Sequence, residues 1–225
     1  MGGQACILYG AAEFSRDADF AVLSSADNLE RLRAALDDLN GEVIAVPPFE
    51  QTYLERGHAV HFRAHHPEAK GFRIDVMSKL RGMEPFPRLW ERRTEFDLGG
   101  VGRVDALSLR DLVASKRTQR DKDWLMIRKL LEASYAQASH ETSTEQIEFW
   151  LGELRTPELL VACAETFSEQ ASRVAERREA TAAALRRDLV SVRAALASEE
   201  SHEREFDRAY WAPLRAELEK LRRTK

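Results

Sequence analysis

Two aspartates stand one residue apart in the segment DADFAV, at Asp17 and Asp19. The run over residues 18–23 is apolar and follows a polar turn at Ser15 and Arg16, so it reads as a strand. Residues two apart on a strand share a face. The chain must therefore build a sheet with two like charges side by side on one surface, which stay ionised together only if a cation joins them.

The neighbouring sequence supplies the rest of such a sheet. Residues 3–9 read as a short helix headed by Gly2 and Gly3. The segment SADNLERLRAALDDLNG has Ser25 or Asp27 as N-cap, Leu29, Leu32, Leu36 and Leu39 at helical spacing, and Gly41 as a stop. Residues 57–78 read as a hairpin, GHAVHFRAHH and FRIDVMS joined by the turn residues PEAKG. Alternation puts Arg73, Asp75 and Met77 on one face of its second strand and Ile74 and Val76 on the other, which makes Asp75 a lone acid on a strand. His61 and His65 share a strand face with no acid or cysteine at fitting spacing, and with His58 and His66 they read as exposed or loosely packed.

Further on, short strands flank a turn at Gly99 and Gly100, and a helix follows with Ser108 as N-cap and Asp111 in the third helical position. Lys116, Arg120 and Asp123 recur at spacings of four and three and so share a helix face. After about residue 138 the sequence becomes rich in alanine and charge and poor in glycine. A helix starts at Thr156 and Pro157. Apolar residues from Leu160 to Leu196 keep three- and four-residue spacing, with an interruption near Arg178. Phe206, Tyr210, Leu214, Leu218 and Leu221 continue the pattern, and Pro213 kinks it or starts a new helix. The expectation is an α/β domain over residues 1–138, with a small mixed sheet and flanking helices, then an all-helical region over 139–225 built on a long helix hairpin.

Composition narrows the function by exclusion. A net charge of −4 over 225 residues gives no global footprint for a nucleic-acid coat or a membrane-surface protein. Two cysteines, Cys6 and Cys163, each in an apolar helical pattern, argue against a disulfide framework or a cysteine zinc site. No apolar run reaches the roughly 20 residues that cross a bilayer, and the N-terminus lacks a signal-peptide layout. A cytoplasmic protein without a membrane partner is expected.

Magnesium suits the acids, because it is held by few carboxylates and keeps positions for water and phosphate oxygens. Asp75 is the best-placed third acid. Gly2 and Gly3 would let phosphates approach the backbone closely. The Gly-Gly head, the helix, the D-x-D pair followed by an apolar residue (DADF), the later strand acid (RIDVM) and the segment LSLRDLVASKRTQRDKDWLMIRKLL together resemble the nucleotidyltransferase superfamily with a DNA-polymerase-beta-like palm, in particular its minimal and abortive-infection toxin-type members. The resemblance covers residues 2–131.

That resemblance implies transfer of a nucleoside monophosphate from a nucleoside triphosphate to a hydroxyl of a tRNA, a protein or a small molecule. It implies a two-magnesium site on Asp17, Asp19 and Asp75, with Asp75 also helping to activate the acceptor. Gly2, Gly3, Ser15, Arg16, Lys116, Arg120 and Asp123 would bind the nucleotide, Lys116 and Arg120 by neutralising triphosphate charge. An antitoxin partner and a homodimer through the C-terminal helices are further expectations. The family's apolar strand before the glycines has no counterpart here, where only Met1 precedes them; a trimmed or misassigned start is the expected reason, since an open sheet edge is costly. Glu13 and Ser15 stand where minimal members carry Arg and Thr, and Arg16 is the candidate substitute. The competing expectation is an inactive nucleotidyltransferase-like module that acts through its helical arm.

Overall fold

In the computed structural model, residues 1–137, 139 and 141–223 are described. Packing divides the chain into two units: Met1–Leu8 and Ala12–Ser115 with the stretch from Arg208 onward, and Tyr9–Ala11 with Lys116–Asp207. The boundary expected from sequence falls at Ala138, which lies outside the described residues.

The first unit is α/β. Its elements are α1 (Gly2–Leu8), β1 (Asp17–Ala21), α2 (Ala26–Asp38), β2 (Glu42–Val43), α3 (Gln51–Arg56), β3 (Val60–Arg63), β4 (Arg73–Met77), α4 (Phe86–Glu91), β5 (Thr94–Asp97), β6 (Arg103–Ala106) and α5 (Leu109–Ser115). Four strands form a mixed sheet in the order β1-β4-β3-β2, with β1 parallel to β4 and the other pairs antiparallel; β5 and β6 form a separate antiparallel ribbon.

Register explains the sheet's two faces. Val60 lies opposite Val76 and Phe62 opposite Ile74, and parallel pairing sets Ala18 beside Ile74 and Phe20 beside Val76. Val60, Phe62, Ile74 and Val76 form the apolar face against which Leu29 and Leu36 of α2 and Leu54 of α3 are buried; Ala18 is buried as well, whereas Phe20 is 48% exposed. Each buried side chain of that face and those helices contributes roughly 1.5–3 kcal/mol by leaving water. The alternate residues, Asp17, Asp19, His61, Arg73 and Asp75, are thereby committed to the opposite face. α2 is stopped as expected: Gly41 N–H donates to the Leu36 carbonyl at 2.7 Å. Ser108 and Asp111 form the expected cap, with Asp111 N–H donating to Ser108 Oγ at 3.2 Å.

The second unit is helical: α6 (Asp121–Ala136), α7 (Thr144–Glu153), α8 (Pro157–Thr166), α9 (Ser168–Ala175), α10 (Glu179–Leu185) and the first part of α11 (Leu189–Arg223), which carries Pro213 inside it. The expected long helix hairpin is not formed. Only α11 is long; the stretch before it is three short helices that pack on one another and on α7.

The breaks have a physical cause. Arg178 is 8% exposed, and such a buried guanidinium has to be satisfied by protein groups. It donates to the carbonyls of Leu151 (2.7 Å) and Leu154 (3.0 Å) at the end of α7 and to Glu199 of α11, and its backbone leaves the helix to do so, with φ −133° and ψ 110°. Arg187 takes a left-handed φ of 59°. Asp188 then receives the Ser191 N–H at 3.1 Å and starts α11.

Candidate acid face and its glycine head

The three acids expected to act together lie on one surface of the four-stranded sheet. Asp19 is the register partner of Asp75, and Asp17 that of Arg73, across the parallel pair β1 and β4. Neighbouring strands run about 4.8 Å apart, so Asp19 and Asp75 project from adjacent positions on the same face.

The glycine head is packed against this surface. A Cβ placed on Gly2 would stand 1.8 Å from Asp19 Oδ2, and one on Gly3 would stand 2.3 Å from Ser15 Oγ and 3.9 Å from Asp17 Oδ1. Gly2 also has a φ of +71°, a conformation in which an L side chain is strained. Two separate constraints therefore select glycine at Gly2. Ser15 Oγ is 3.0 Å from both the Asp17 carbonyl and Asp17 Oδ1, tying the polar turn to the first acid. Met1 N donates to the Asp19 carbonyl at 2.8 Å along the outer edge of β1. Arg16 is exposed.

Asp75 is not the lone acid that alternation suggested. Its Oδ1 accepts from Arg73 Nε at 2.7 Å and lies 2.8 Å from His61 Nδ1. Burial pushes the Asp75 carboxyl up, but the hydrogen bonds from His61 and Arg73 outweigh it and hold the group below the ordinary carboxylate range. The bond to Asp75 raises Arg73 in turn; burial opposes the rise, and the charges of Asp75, Asp17 and Asp19 add to it. One guanidinium therefore feels all three acids. Sequence alternation already set Arg73 on the face of Asp75, and His61 faces it from the other strand of the expected hairpin. The missing information was the register of that hairpin.

Lys116, Arg120 and Asp123 belong to the second unit and do not share a helix. α5 ends at Ser115 and α6 starts at Asp121, so Lys116 and Arg120 lie in the connection and Asp123 in the first turn of α6. The chain leaves the helix there because Asp123, 3% exposed, gathers its donors from that connection. Thr118 Oγ1 donates to it at 2.6 Å and Arg120 Nε at 2.7 Å, and Lys116 Nζ stands 3.7 Å away. This cluster satisfies a buried carboxylate at a helix N-terminus.

His58 also differs from expectation. It is 1% exposed and bonds Glu217 of α11 at 2.8 Å. Cys6 and Cys163 are both buried and neither forms a disulfide among the described residues.

Carboxylate oxygens from two adjacent strands are the donor chemistry that magnesium prefers. Among the described residues, no group of three His, Cys, Asp or Glu side chains stands at metal-holding geometry. Asp75 is shared between Arg73 and His61. No helix among the described residues is long and apolar enough to cross a membrane. No protein-family model matches the chain, and no curated protein matches it either.

Proposed function

We propose that the chain is a magnesium-dependent nucleotidyltransferase, with a nucleotidyltransferase palm formed by β1, β4 and the glycine head. The observation that carries this reading is the close seating of Gly2 and Gly3 against Asp19, Ser15 and Asp17, with Asp75 in register beside Asp19. A sheet with only a structural ion pair needs neither the glycine contact nor the second strand acid.

In the reaction, an acceptor hydroxyl oxygen bonds to the α-phosphorus, the bond from that phosphorus to the bridging oxygen breaks, and pyrophosphate leaves with the displaced electron pair. Magnesium, when bound, supplies charge neutralisation for the attacking and leaving oxygens. Asp17 and Asp19 would hold the cation. Ser15 orients Asp17 through its hydroxyl. Asp75 takes the proton of the acceptor hydroxyl once its Oδ1 is released from Arg73. Gly2 and Gly3 keep side-chain bulk away from the acids, and the exposed Arg16, next to Asp17 in sequence, would meet phosphate charge.

The test is incubation of the full chain with magnesium, each of four α-labelled nucleoside triphosphates and a bacterial extract, beside Asp19→Asn. Label moved to RNA, protein or a small molecule by the wild type alone supports the reading and identifies the acceptor class. A second reading is an inactive homologue that keeps the fold as a binding module; the pairing of Asp75 with Arg73 and His61 favours it. Magnesium-dependent triphosphate binding without transfer, or neither, decides for that second reading.

A further inference from the structure

Where β1 and β4 run out at their carboxyl ends, the first unit has a cavity of about 400 Å³. In open α/β sheets the crevice beyond the carboxyl ends of parallel strands is the recurrent ligand position, and the volume lies in the range of small-molecule pockets. Its walls are mostly apolar, formed by Val22 and Leu23 after β1, Leu80 after β4, Met83 from the loop that follows and Phe86 at the start of α4. Leu23 is 40% exposed at the rim.

The polar groups are few and unequal. Ser78 Oγ is engaged, donating to the Leu54 carbonyl at 2.7 Å, and Glu84 is paired with Arg92. Ser24 and Lys79 also line the cavity, and neither side chain has a hydrogen bond or ion pair among the described residues. Ser24 precedes Ser25, the N-cap of the 13-residue α2, and no side chain caps the first turn of that helix. The lining thus holds an ammonium and a hydroxyl that no described protein group engages, the hydroxyl next to the N-cap of α2, whose first turn also carries Asp27. Such a pair attracts an anionic group, and the remaining walls suit a flat apolar body.

We propose that this cavity binds a small organic anion with a planar apolar body, its anionic group taken by Lys79 and Ser24. The proposal does not depend on nucleotidyl transfer, since none of the cavity's residues belongs to the acid face.

Calorimetric titration of the full chain with 1-naphthalenesulfonate tests it, with 1-naphthalenemethanol as the neutral counterpart. The expected result is saturable one-to-one binding of the sulfonate, weakened about tenfold by Lys79→Ala, the loss expected for a hydrogen bond to a charged group. Met83→Trp, which fills the cavity, should abolish binding, and Asp19→Asn should leave it unchanged. The proposal is overturned if the wild type does not saturate by millimolar sulfonate, if the neutral alcohol binds equally well, or if Lys79→Ala binds as the wild type does. Lys79 is exposed, so its variant keeps the test decisive even where Met83→Trp does not fold.

Discussion

Gly2→Ala separates the glycine head's role in holding the chain from its role in placing an acid. The new Cβ would meet Asp19 Oδ2 at 1.8 Å, whereas ordinary van der Waals contact begins at 3.4 Å, so the carboxylate has to retreat by about 1.6 Å (3.4 − 1.8). The φ of +71° adds strain, roughly 1–2 kcal/mol for an L side chain in the left-handed region. In a chain of this size each kcal/mol lowers Tm by about 2–4 °C. A misplacement of about 1 Å at a reacting centre costs on the order of 100-fold in rate, so nucleotidyl transfer should fall by at least that factor.

Gly71→Ala is the matched control. Gly71 has a φ of +82° with nothing within 4 Å of a Cβ, so it carries the backbone strain and no collision. Thermal melts and label-transfer rates of the two variants are the assay. A similar loss of Tm in both, with transfer lost only in Gly2→Ala, is the expected outcome. If the two variants keep equal transfer rates, Gly2 does not serve to make room for Asp19, and the argument from the glycine head is refuted.

Arg178→Met leaves the carbonyls of Leu151 and Leu154 and the Glu199 carboxylate without their donor, and breaking a buried charge pair costs roughly 3–5 kcal/mol; urea unfolding showing less than about 1 kcal/mol would contradict the assigned cause of the helix breaks. The hydrogen bond from His58, opposed by burial and reinforced by Arg56, holds the Glu217 carboxyl below its ordinary range. A depressed acid contributes stability that is complete above its unfolded-state pKa and lost as pH falls through the folded one. The Tm gap between wild type and Glu217→Gln should therefore be widest near neutrality and close in acid; a gap independent of pH rules this out. Arg73→Gln removes the charged donor to Asp75, and calorimetry should find magnesium or manganese bound several-fold more tightly; unchanged affinity would show that Arg73 does not compete for the acid.

The elements that sequence foretold are those whose pattern is local. The hairpin of β3 and β4 is fixed by alternation, and α2 by leucine spacing and Gly41. Alternation also put Arg73 on the face of Asp75. The failures came from side chains that reach across the fold. Lys116, Arg120 and Asp123 have helical spacing, yet Asp123 pulls its donors into a connection between two helices. The stretch from Pro157 to Leu185 keeps helical periodicity apart from the interruption near Arg178, but Arg178 has to reach carbonyls about 25 residues away in sequence, and the interruption does not say what the side chain reaches for. His58 looked like a surface histidine because its partner, Glu217, lies 159 positions along the chain.

The two readings of the acid face differ in what they ask of each aspartate. In a purely structural ion-pair network each acid is held by a cation, and Asp75 fits that description through Arg73. Asp17 does not: its Oδ1 is held by the Ser15 hydroxyl, a neutral donor that fixes the carboxylate's orientation without offsetting its charge. Orientation by a neutral second partner is the arrangement that metal-ligating carboxylates use. Of the three acids, Arg73 feels Asp17 and Asp19 through space and hydrogen-bonds Asp75, with its other contact at His61 Nδ1, 3.1 Å away. Charge on Asp17 that no neighbouring cation offsets is a cost to folding beside a glycine head that admits no side chain, and a cation bound there would reduce it.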